Sequence, residues 1–423
     1  MRIVLATIGT LGDLHPFMAL SAALRARGAQ VVLACAEEYR DKVSAAGIAF
    51  APLSPSFAAV EARLGLDRAR ITRRMLEDRD FLFRVINPHL RAAYDDMLPL
   101  LDCADLLLAG SLAFGAHVAA ERCGVRCIGV ALQPLMLLSA HDPPVIPGAA
   151  CVTAALRGLD VTWRGRALSA LKWLSLPLLR PVRHLRAQAG LPPSKAHPLF
   201  EGQYDRGGAI ALYSGVIGEI RPDHPPHTLL AGFAWYDSED GHARELPADL
   251  RGFLAAGDAP VVFTLGSAVV HSPGDFYRHS AAAARSMGRR AVLLVGEAQP
   301  DIGAELAGRD VFVARYAPHS LLFAAASAVV HHGGIGTLAQ ALRAGKPQLV
   351  VPHFADQFDN AERARVRCGA RVLLPRRYTQ ESAARILGEL LADAPLAARV
   401  RAIGERVAAE DGAARAARAI LPD

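Results

Sequence analysis

Two series of short apolar segments alternate with helical segments, and this alternation limits the possible folds more than any other feature of the chain. In the first half, β-branched and aliphatic residues predict strands at 2–8, 30–35, 48–52, 106–109 and 127–131. In the second half, they predict strands at 261–265, 291–295 and 311–314, along the apolar run 321–330, and at 348–351. Strands that alternate with helices are typical of parallel, doubly wound sheets. We therefore predict an α/β protein with two Rossmann-like domains that face each other across a cleft.

Length and composition suggest the domain boundaries. A chain of 423 residues, of which 52% are hydrophobic, can form two or three domains with large cores. We predict an N-terminal domain at 1–220 and a C-terminal domain at 241–405. The sequence RPDHPP at 221–226 has the composition of a linker, and we place that linker at 221–240. Residues 406–423 are predicted as a C-terminal helix that can pack back on the first domain.

The charge pattern favours a small anionic ligand or an anionic lipid surface over nucleic acid. The net charge is +6, and no run of the sequence combines basic residues with stacking aromatic residues. The N-terminal sequence MRIVLATIGTLGDLHPF lacks the small-residue cleavage site of a signal peptide. No stretch reaches the roughly 18 apolar residues of a membrane-spanning helix. We expect a cytoplasmic protein.

The cysteines do not form a recognisable metal site. Cys123 and Cys127 have the spacing of zinc ligands, but neither a second pair nor a histidine cluster accompanies them. Free thiols in a reducing cytosol are the simpler interpretation. We therefore expect no bound metal and no disulfide framework.

A glycine-rich turn near the C-terminus has the composition of an anion site. The run His331, His332, Gly333, Gly334, Ile335, Gly336, Thr337 separates the apolar run 321–330 from a helix-like segment. Glycines let the backbone approach a phosphate, and free N–H groups at a helix start point towards it. His331 is predicted to donate to a phosphate oxygen. Asp356 and Gln357, some twenty residues later, could bind hydroxyl groups, so the pattern predicts a sugar-nucleotide site.

Three blocks in this region resemble the C-terminal signature of family 1 glycosyltransferases. They are Tyr316-Ala317-Pro318-His319, the turn at 331–337 and PHFADQFDN at 352–360. The resemblance implies the GT-B fold, acceptor binding by the first domain and inverting, metal-independent hexosyl transfer from a nucleotide sugar, without a cofactor. It implies that Gly266 and Ser267 line the diphosphate, while Asp356 and Gln357 hold the sugar.

The same resemblance gives roles to Tyr316 and its neighbours. Tyr316 would stack on the nucleotide base, although ordinary packing is an alternative for this side chain. The backbone of Ala317 and of His319 would contact the edge of the base.

The turn Gly9-Thr10-Leu11-Gly12-Asp13 resembles the cleft-facing loop of the same family. Asp13 is then the predicted general base that accepts the proton of the acceptor hydroxyl, with His15 as the alternative base. Gly12 is predicted to contact the donor. An aspartate before Pro16 can also be a helix N-cap, which is the structural alternative for Asp13.

Two positions depart from familiar glycosyltransferase patterns. Plant members carry a glutamate for the ribose hydroxyls eight residues after the motif histidine, and counting from His331 places Ala339 there. Because thymidine lacks the 2′-hydroxyl, this absence favours a dTDP-sugar over a UDP-sugar. The sequence Asp78-Arg79-Asp80 has the D-x-D pattern of metal-dependent enzymes, but it lies in a charged, helix-like stretch and is interpreted as a solvated face.

A narrower resemblance extends over most of the sequence. The segments GTLGDLHPF at 9–17, SAHDPPVIPG at 139–148, GDFYRHSA at 274–281 and DQFDNAERA at 356–364 are similar to the rhamnosyltransferases of rhamnolipid synthesis. The similarity implies dTDP-L-rhamnose as the donor and a hydroxyalkanoyloxy-alkanoate as the acceptor. Gln133 and His141 would then lie at an acyl-chain pocket, although core packing also explains the leucines between them.

Alternatives remain open at this stage. A UDP-glucose-dependent glucosyltransferase acting on a sterol, a polyketide or another small aglycone fits the same motifs, and so does a catalytically silent sugar-nucleotide-binding subunit. The basic, leucine-rich stretch 157–193 is interpreted as a packed amphipathic helix. Its alternative is a helix that flanks the acceptor or touches the inner face of the cytoplasmic membrane. The sequence leaves the oligomeric state open.

Overall fold

A computed structural model describes residues 1–78, 80–145, 150–236, 245–296 and 300–422, and divides the protein into two compact units. The N-terminal unit comprises Met1–Asp67, Glu77–Tyr236 and Asp411–Asp423. The C-terminal unit comprises Arg68–Leu76 and Asp237–Glu410. The short segment 68–76, which the sequence places in the N-terminal domain, therefore groups with the C-terminal unit.

Thirteen strands are described, all of them short and mostly buried. They are β1 Arg2–Ala6, β2 Gln30–Cys35, β3 Ala49–Pro52, β4 Leu106–Gly110, β5 Arg126–Ala131, β6 Ala209–Ala211, β7 Leu229–Leu230, β8 Val261–Thr264, β9 Ala291–Leu294, β10 Val311–Ala314, β11 Ala328–His331, β12 Gln348–Val350 and β13 Arg371–Val372. Every pairing between them is parallel. Both predictions, an α/β fold and parallel sheets, are confirmed.

Helices connect these strands. They are α1 Leu11–Ala26, α2 Arg40–Ala45, α3 Phe57–Leu64, α4 Arg68–Glu77, α5 Phe81–Ile86, α6 Leu90–Leu101, α7 Phe114–Cys123, α8 Ala150–Gly158, α9 Val161–Ser175, α10 Arg180–Gln188, α11 Ala248–Ala255, α12 Gly266–Val269, α13 Phe276–Ser286, α14 Pro300–Leu306, α15 His319–Ala324, α16 Ile335–Arg343, α17 Gln357–Arg363, α18 Gln380–Ala392, α19 Ala394–Ala408 and α20 Gly412–Ile420. Within the described ranges, no helix has the length and apolarity needed to cross a bilayer.

The sheet of the N-terminal unit has seven strands in the order β3-β2-β1-β4-β5-β6-β7. The first three strands are added towards one edge of the sheet and the later strands towards the other, so the strand order reverses between the neighbours β1 and β4. In open parallel sheets, ligands bind outside the carboxyl ends of the strands at such a switch point. The turn that follows β1 lies at this edge, and it contains the predicted base Asp13.

The Pro-rich segment 221–226 is part of the N-terminal unit rather than a free linker. The Asp223 carboxylate accepts hydrogen bonds from Ser139 Oγ at 2.6 Å and from the Ala140 N–H at 2.7 Å. Shortly after it, β7 adds to the edge of the sheet beside β6. Its prolines and charged residues are typical of a linker, but the hydrogen bonds of the Asp223 side chain hold it to the loop that follows β5.

The sheet of the C-terminal unit has six strands in the order β10-β9-β8-β11-β12-β13. Both faces of its central strands are covered, since Phe263 and Val330 belong to one apolar cluster while Val262 and Val329 belong to another. Burial on two faces makes such strands continuous apolar runs. The run 321–330 is an exception to the prediction, because its first part belongs to α15 and only the end forms β11.

The C-terminal helix α20 packs on α1 within the N-terminal unit. The Gly412 N–H donates to the Phe233 carbonyl at 2.8 Å. A Cβ at Gly412 would lie 2.1 Å from the Gly232 carbonyl oxygen, so this close approach requires glycine. Near the end of the sequence, Arg27 Nε donates to the Leu421 carbonyl at 2.7 Å. These contacts bind the last segment to the first helix.

Candidate active site

The first group of site residues lies in the turn between β1 and α1. Thr10 is the N-cap of α1, and its N–H donates to Asp13 Oδ2 at 2.8 Å. Asp13 therefore occupies the third position of the helix and completes a capping box, while the N-cap role belongs to Thr10. Gly9 has φ +146°, and a Cβ there would lie 2.1 Å from Asp13 Oδ2. Only glycine leaves room for the carboxyl group.

The environment of Asp13 suits a proton acceptor. Burial raises its pKa from 3.8 to about 6, although the hydrogen bonds from Thr10 act in the opposite direction. A general base is most effective when its pKa lies near the working pH. The assignment of Asp13 as the base stays a prediction, and the carboxyl group has the properties that this role requires.

The other two residues predicted in this turn have less distinctive surroundings. The His15 ring lies against the Tyr236 ring, with centroids 5.2 Å apart and planes tilted by 45°. A Cβ at Gly12 would meet Thr10 Oγ1 only at 3.8 Å, which is an ordinary contact. The fold therefore does not require glycine at position 12. A donor contact of Gly12 and a catalytic role of His15 stay predictions.

The second group of site residues lies in the C-terminal unit, in the turn between β11 and α16. His331 is the last residue of β11 and is fully buried. Its Nδ1 accepts the Gly333 N–H at 3.1 Å, and its Nε2 lies 3.0 Å from Gln348 Oε1. With the proton on Nε2, both ring nitrogens are satisfied inside the protein. The prediction that His331 and the Gly333 N–H contact a phosphate is therefore wrong, because the Gly333 N–H and His331 Nδ1 already form a hydrogen bond with each other.

His332 is the histidine that faces the glycine pocket. Its ring lies between two glycines: a Cβ at Gly266 would be 2.3 Å from His332 Cε1, and a Cβ at Gly334 would be 2.3 Å from His332 Nε2. His332 Nδ1 is buried without a hydrogen-bond partner among the described residues. Burial, with neighbouring His331 and His353, holds its pKa well below the usual value. The ring is a neutral imidazole with capacity for a ligand.

Helix α16 adds backbone donors beside this ring. Its N-cap is Gly334, which has no side chain to satisfy the first N–H groups. The first-turn N–H groups of Ile335, Gly336 and Thr337 have no intrahelical acceptor, and the helix dipole is positive at this end. A diphosphate placed here would receive several charge-assisted hydrogen bonds. Anion binding by these N–H groups stays a prediction.

The loop before α17 closes one side of the same turn. Gly333 has φ +86°, and a Cβ there would lie 2.9 Å from Val350 Cγ1 and 3.1 Å from the Gln357 carbonyl oxygen. Gln357 is buried, and its Oε1 accepts the N–H groups of His353 at 2.8 Å and Phe354 at 3.2 Å. Its side-chain oxygen therefore shapes the loop, which leaves the amide nitrogen for the predicted sugar contact.

Asp356 is connected to the turn through Asn360, a residue that was not predicted as part of the site. Asn360 Nδ2 donates to Asp356 Oδ2 at 2.7 Å and to the Gly333 carbonyl at 3.1 Å. Asp356 itself is exposed to solvent in part. Asn360 ends the PHFADQFDN block, and its spacing of four residues from Asp356 on one helix was the available signal. Sugar binding by Asp356 stays a prediction.

The remaining predicted donor residues follow strands β8 and β10 of the same sheet. Gly266 has φ +64°, its N–H donates to Thr264 Oγ1 at 3.2 Å, and Ser267 is exposed. Ala317 is buried in an apolar cluster, and the His319 ring stacks on Phe323 at 4.6 Å. Tyr316 is half-exposed. Stacking of Tyr316 on a base, and base contacts by Ala317 and His319, stay predictions.

The histidine correction also moves the ribose position. Counting eight residues from His332 ends at Gln340, whereas the count from His331 ended at Ala339. Gln340 is buried in α16, and its Oε1 has no hydrogen-bond partner among the described residues. This position therefore holds a buried amide with an unused acceptor. The argument for a thymidine donor from Ala339 is lost.

The predicted acceptor segment is mostly built into the core. Gln133 is half-buried and precedes a short 3-10 helix, Pro134–Met136, whose last carbonyl accepts from Tyr204 Oη at 3.1 Å. Leu137 is buried, while His141 is exposed. Residues 146–148 of the segment 139–148 lie outside the described residues. Acceptor contacts by Gln133 and His141 stay predictions.

The possible metal motifs have ordinary surroundings. Asp78 Oδ1 accepts the Asp80 N–H at 3.0 Å and its Oδ2 pairs with Arg84 at 3.2 Å, while Arg79 lies outside the described residues. The described cysteine side chains are free thiols, at Cys35, Cys103, Cys123, Cys127 and Cys368. Across the described ranges, no group of three His, Cys, Asp or Glu side chains could hold a metal ion.

Two doubly wound parallel sheets define a class of protein when one carries a partly buried carboxyl group after its first strand and the other a glycine-rich turn before a helix start. That class is the nucleotide-sugar-dependent glycosyltransferase of GT-B type. Residues 3–128 match the glycosyltransferase family 28 N-terminal domain, and residues 291–420 match the erythromycin biosynthesis protein CIII-like C-terminal domain. The protein belongs to the family 1 glycosyltransferases.

Whole-length relatives agree with this assignment. The protein is 32% identical to the O-mycaminosyltylonolide 6-deoxyallosyltransferase of Streptomyces fradiae, over 97% of this chain and 95% of the relative. It is 30% identical to the vancomycin aglycone glucosyltransferase of Amycolatopsis orientalis, over 84% of this chain and 82% of the relative. Both are glycosyltransferases that transfer a sugar, and so is this enzyme.

Solved structures share the fold. The glycosyltransferase of kitacinnamycin matches with a TM-score of 0.71 and 23% identity, over 99% of this chain and 98% of the other. The spinosyn rhamnosyltransferase SpnG, in complex with thymidine diphosphate, matches with a TM-score of 0.65 and 18% identity, over 99% and 100%. The GT-B architecture predicted from the sequence is confirmed.

Proposed function

We propose that the enzyme transfers L-rhamnose from dTDP-L-rhamnose, with inversion, to a hydroxyl group of a lipid-like acceptor such as a hydroxyalkanoyloxy-alkanoate. The observation that carries the proposal is the pocket formed by Gly266, His332, Gly334 and the start of α16. It offers backbone donors and a neutral imidazole, and Gly266 and Gly334 leave room for the imidazole ring where a Cβ would collide with it. These are the features that a sugar diphosphate needs.

In this proposal, the turn after β1 accepts the proton and the turn after β11 stabilises the leaving group. The acceptor oxygen forms a bond to the anomeric carbon while the bond from that carbon to the diphosphate oxygen breaks, and Asp13 takes the hydroxyl proton. Negative charge grows on the departing diphosphate, where His332 and the first-turn N–H groups of α16 stabilise it. A carboxyl group whose pKa burial raises to about 6 can accept that proton near neutral pH.

Support for a deoxysugar donor comes from the relatives. The Streptomyces fradiae enzyme is named for the transfer of a 6-deoxyallosyl group. The spinosyn enzyme is named a rhamnosyltransferase and was solved with thymidine diphosphate. The segments at 9–17, 274–281 and 356–364, similar to rhamnolipid rhamnosyltransferases, support rhamnose among the deoxysugars.

A second function has its own supporting observation. Gln340 places a buried amide with an unused acceptor where a ribose contact is expected, and such a group can bind the 2′-hydroxyl of uridine. The enzyme would then be a UDP-glucose-dependent glucosyltransferase. The vancomycin aglycone glucosyltransferase and the sterol 3-beta-glucosyltransferase of Neurospora crassa are named for acceptors of the corresponding types.

A thermal-shift panel separates the two. The protein is heated with dTDP-rhamnose, dTDP-glucose, UDP-glucose or UDP-GlcNAc, since a ligand at 100 times its Kd adds about 2.7 kcal/mol of stability. We expect dTDP-rhamnose to stabilise most, and product formation with a hydroxyalkanoyloxy-alkanoate to follow by mass spectrometry. Stabilisation by UDP-glucose but not by dTDP-rhamnose would support the glucosyltransferase instead.

A pocket variant makes the panel specific. His332→Ala should lose the preferred shift while unfolding as cooperatively as the wild type. If His332→Ala is stabilised by the same donor to the same extent, the pocket assignment fails even where the enzyme remains active.

The proposal also places the reaction in the cytoplasm with peripheral contact at the inner membrane face, because acceptors with acyl chains partition into lipid.

A further inference from the structure

Exposed apolar side chains are concentrated on one short stretch of the N-terminal unit. Among the described residues, eleven large hydrophobic side chains are exposed, and six of them lie between Val152 and Leu174. The six are Val152, Leu159, Val161, Trp163, Trp173 and Leu174. The sequence has only three tryptophans, so this stretch exposes two of them. Since tryptophan is usually well covered, the concentration requires an explanation.

Helix α9 presents these side chains on one face. Trp163 is 54% exposed, Trp173 70% and Leu174 65%. Trp173 and Leu174 follow Trp163 by ten and eleven residues, which is about three helical turns, so all three share a side of the helix. Leu168, on the opposite side, is 5% exposed and anchors the helix to its own unit. The outer face is therefore uncovered while the inner face is packed.

The helical stretch that carries this face is basic, although Asp160 caps α9 and acidic side chains pair with some of its cations. Residues 161–200 contain seven Lys or Arg residues and no Asp or Glu. The structure distinguishes among these cations. Lys172 pairs with Glu201 at 2.5 Å and Arg186 pairs with Glu121, so neither offers a free charge.

Two exposed cations lie on the same helical stretch as the tryptophans. The Arg166 guanidinium lies over the Trp163 ring at 4.6 Å from its centroid, and both side chains are exposed. Arg180, at the start of α10, is also exposed. We name the surface formed by Trp163, Arg166, Trp173, Leu174 and Arg180 the tryptophan face.

We propose that the tryptophan face binds the surface of an anionic lipid bilayer. Tryptophan rings favour the boundary between lipid headgroups and acyl chains, where an apolar ring can be buried beside polar groups. An amphipathic helix with basic flanks lies in this boundary, and anionic headgroups attract its cations. The inference rests on the tryptophan face alone and does not depend on the donor or the acceptor proposed above.

Vesicle co-sedimentation tests the proposal. The protein is mixed with vesicles of phosphatidylcholine, or of equal parts phosphatidylcholine and phosphatidylglycerol, at low and high salt. We expect binding to the anionic vesicles that weakens as salt increases. Each basic residue near such a surface contributes about 1 kcal/mol, or about fivefold in partitioning. Arg166→Gln with Arg180→Gln should therefore lower partitioning roughly 30-fold.

Tryptophan variants test the apolar part. Trp163→Ser with Trp173→Ser should lower partitioning at least tenfold, while turnover of a soluble acceptor is unchanged. Leu374→Ser and Arg289→Gln are matched controls, because both side chains are exposed in the other unit, and they should bind as the wild type does. Brominated lipid should quench the wild-type fluorescence more than that of the double tryptophan variant.

Three results would overturn the proposal. One is the absence of binding to anionic vesicles at low salt. Another is binding that the tryptophan and arginine variants leave unchanged. The third is a dimer in analytical ultracentrifugation that dissociates in the Trp163→Ser, Trp173→Ser variant, which would assign this face to a second copy of the protein.

Discussion

Replacement of Asp13 by asparagine should abolish transfer and stabilise the protein at the same time. The carboxylate is held by the Thr10 N–H at 2.8 Å, and the amide oxygen of an asparagine can accept the same hydrogen bond. The substitution removes the charge of this partly buried group beside Gly9 and keeps its shape. A group that only caps a helix would not show this combination of effects.

The size of the gain follows from the pKa. Burial raises it from 3.8 to about 6, and a difference of one pKa unit corresponds to about 1.4 kcal/mol. The full difference would be about 3 kcal/mol, and partial exposure of the side chain reduces this to about 1–2 kcal/mol. In a unit of this size, each kcal/mol shifts Tm by about 2–4 °C.

The pKa of Asp13 also determines how the stability of the protein changes with pH. Because the folded pKa lies above the unfolded value, protonated Asp13 contributes stability that is fully present below about pH 4 and is lost as pH rises through about 6. An asparagine at this position would lack this dependence. The Asp13→Asn protein should therefore be more stable than the wild type at pH 8, and the difference should disappear towards pH 4.

Calorimetry across this pH range, with turnover by mass spectrometry, measures both effects. Transfer by Asp13→Asn should fall by about a hundredfold or more, while donor-induced stabilisation remains. Asp160→Asn is a matched control, since Asp160 caps α9 by accepting the N–H groups of Thr162 and Trp163, and asparagine caps equally well. Near-normal transfer by Asp13→Asn, or lower stability at pH 8, would refute the reasoning.

Three further predictions concern the turn between β11 and α16 and the first residue of α20. His331→Ala should lower the free energy of unfolding by about 1–3 kcal/mol, because the Gln348 amide loses its partner. His332→Ala should leave Tm unchanged and lower kcat about a hundredfold. If both variants lose stability and activity to the same extent, the two histidines do not have separate roles. Gly334→Ala should abolish donor-induced stabilisation, because its Cβ would meet His332 Nε2 at 2.3 Å, while Gly388→Ala, with nothing within 4 Å, should not. Gly412→Ala should lower Tm by several degrees, since its Cβ would meet a carbonyl oxygen at 2.1 Å; an unchanged Tm would show that α20 can move away.

The strands could be predicted because parallel strands are buried on both faces. Gln30–Cys35 and Val311–Ala314 have the predicted bounds, and most of the others differ by one or two residues. The two-residue strand Leu229–Leu230 could not be found, because it is too short for a periodic pattern. It pairs with β6, and the Asp223 hydrogen bonds hold the segment before it; both contacts join residues that are not adjacent in the sequence.

The two histidines show where a motif stops being sufficient. The sequence places a pair of adjacent histidines at the start of the turn, and either could face a phosphate. The choice depends on where β11 ends, because successive side chains of a strand point to opposite faces. The strand ends at His331, so His331 belongs to the sheet and bonds to Gln348, while His332 enters the turn. A shift of one residue changed which side chain faces the pocket.

That same shift changes what the structure implies about the donor. Counted from His331, the ribose position is occupied by Ala339, and the absence of a polar group favours thymidine. Counted from His332, it is occupied by Gln340, a buried amide whose oxygen has no partner among the described residues. A buried polar atom of this kind costs free energy unless a ligand satisfies it. We therefore predict that this amide contacts the donor, and that the nucleoside that best satisfies it is the preferred one.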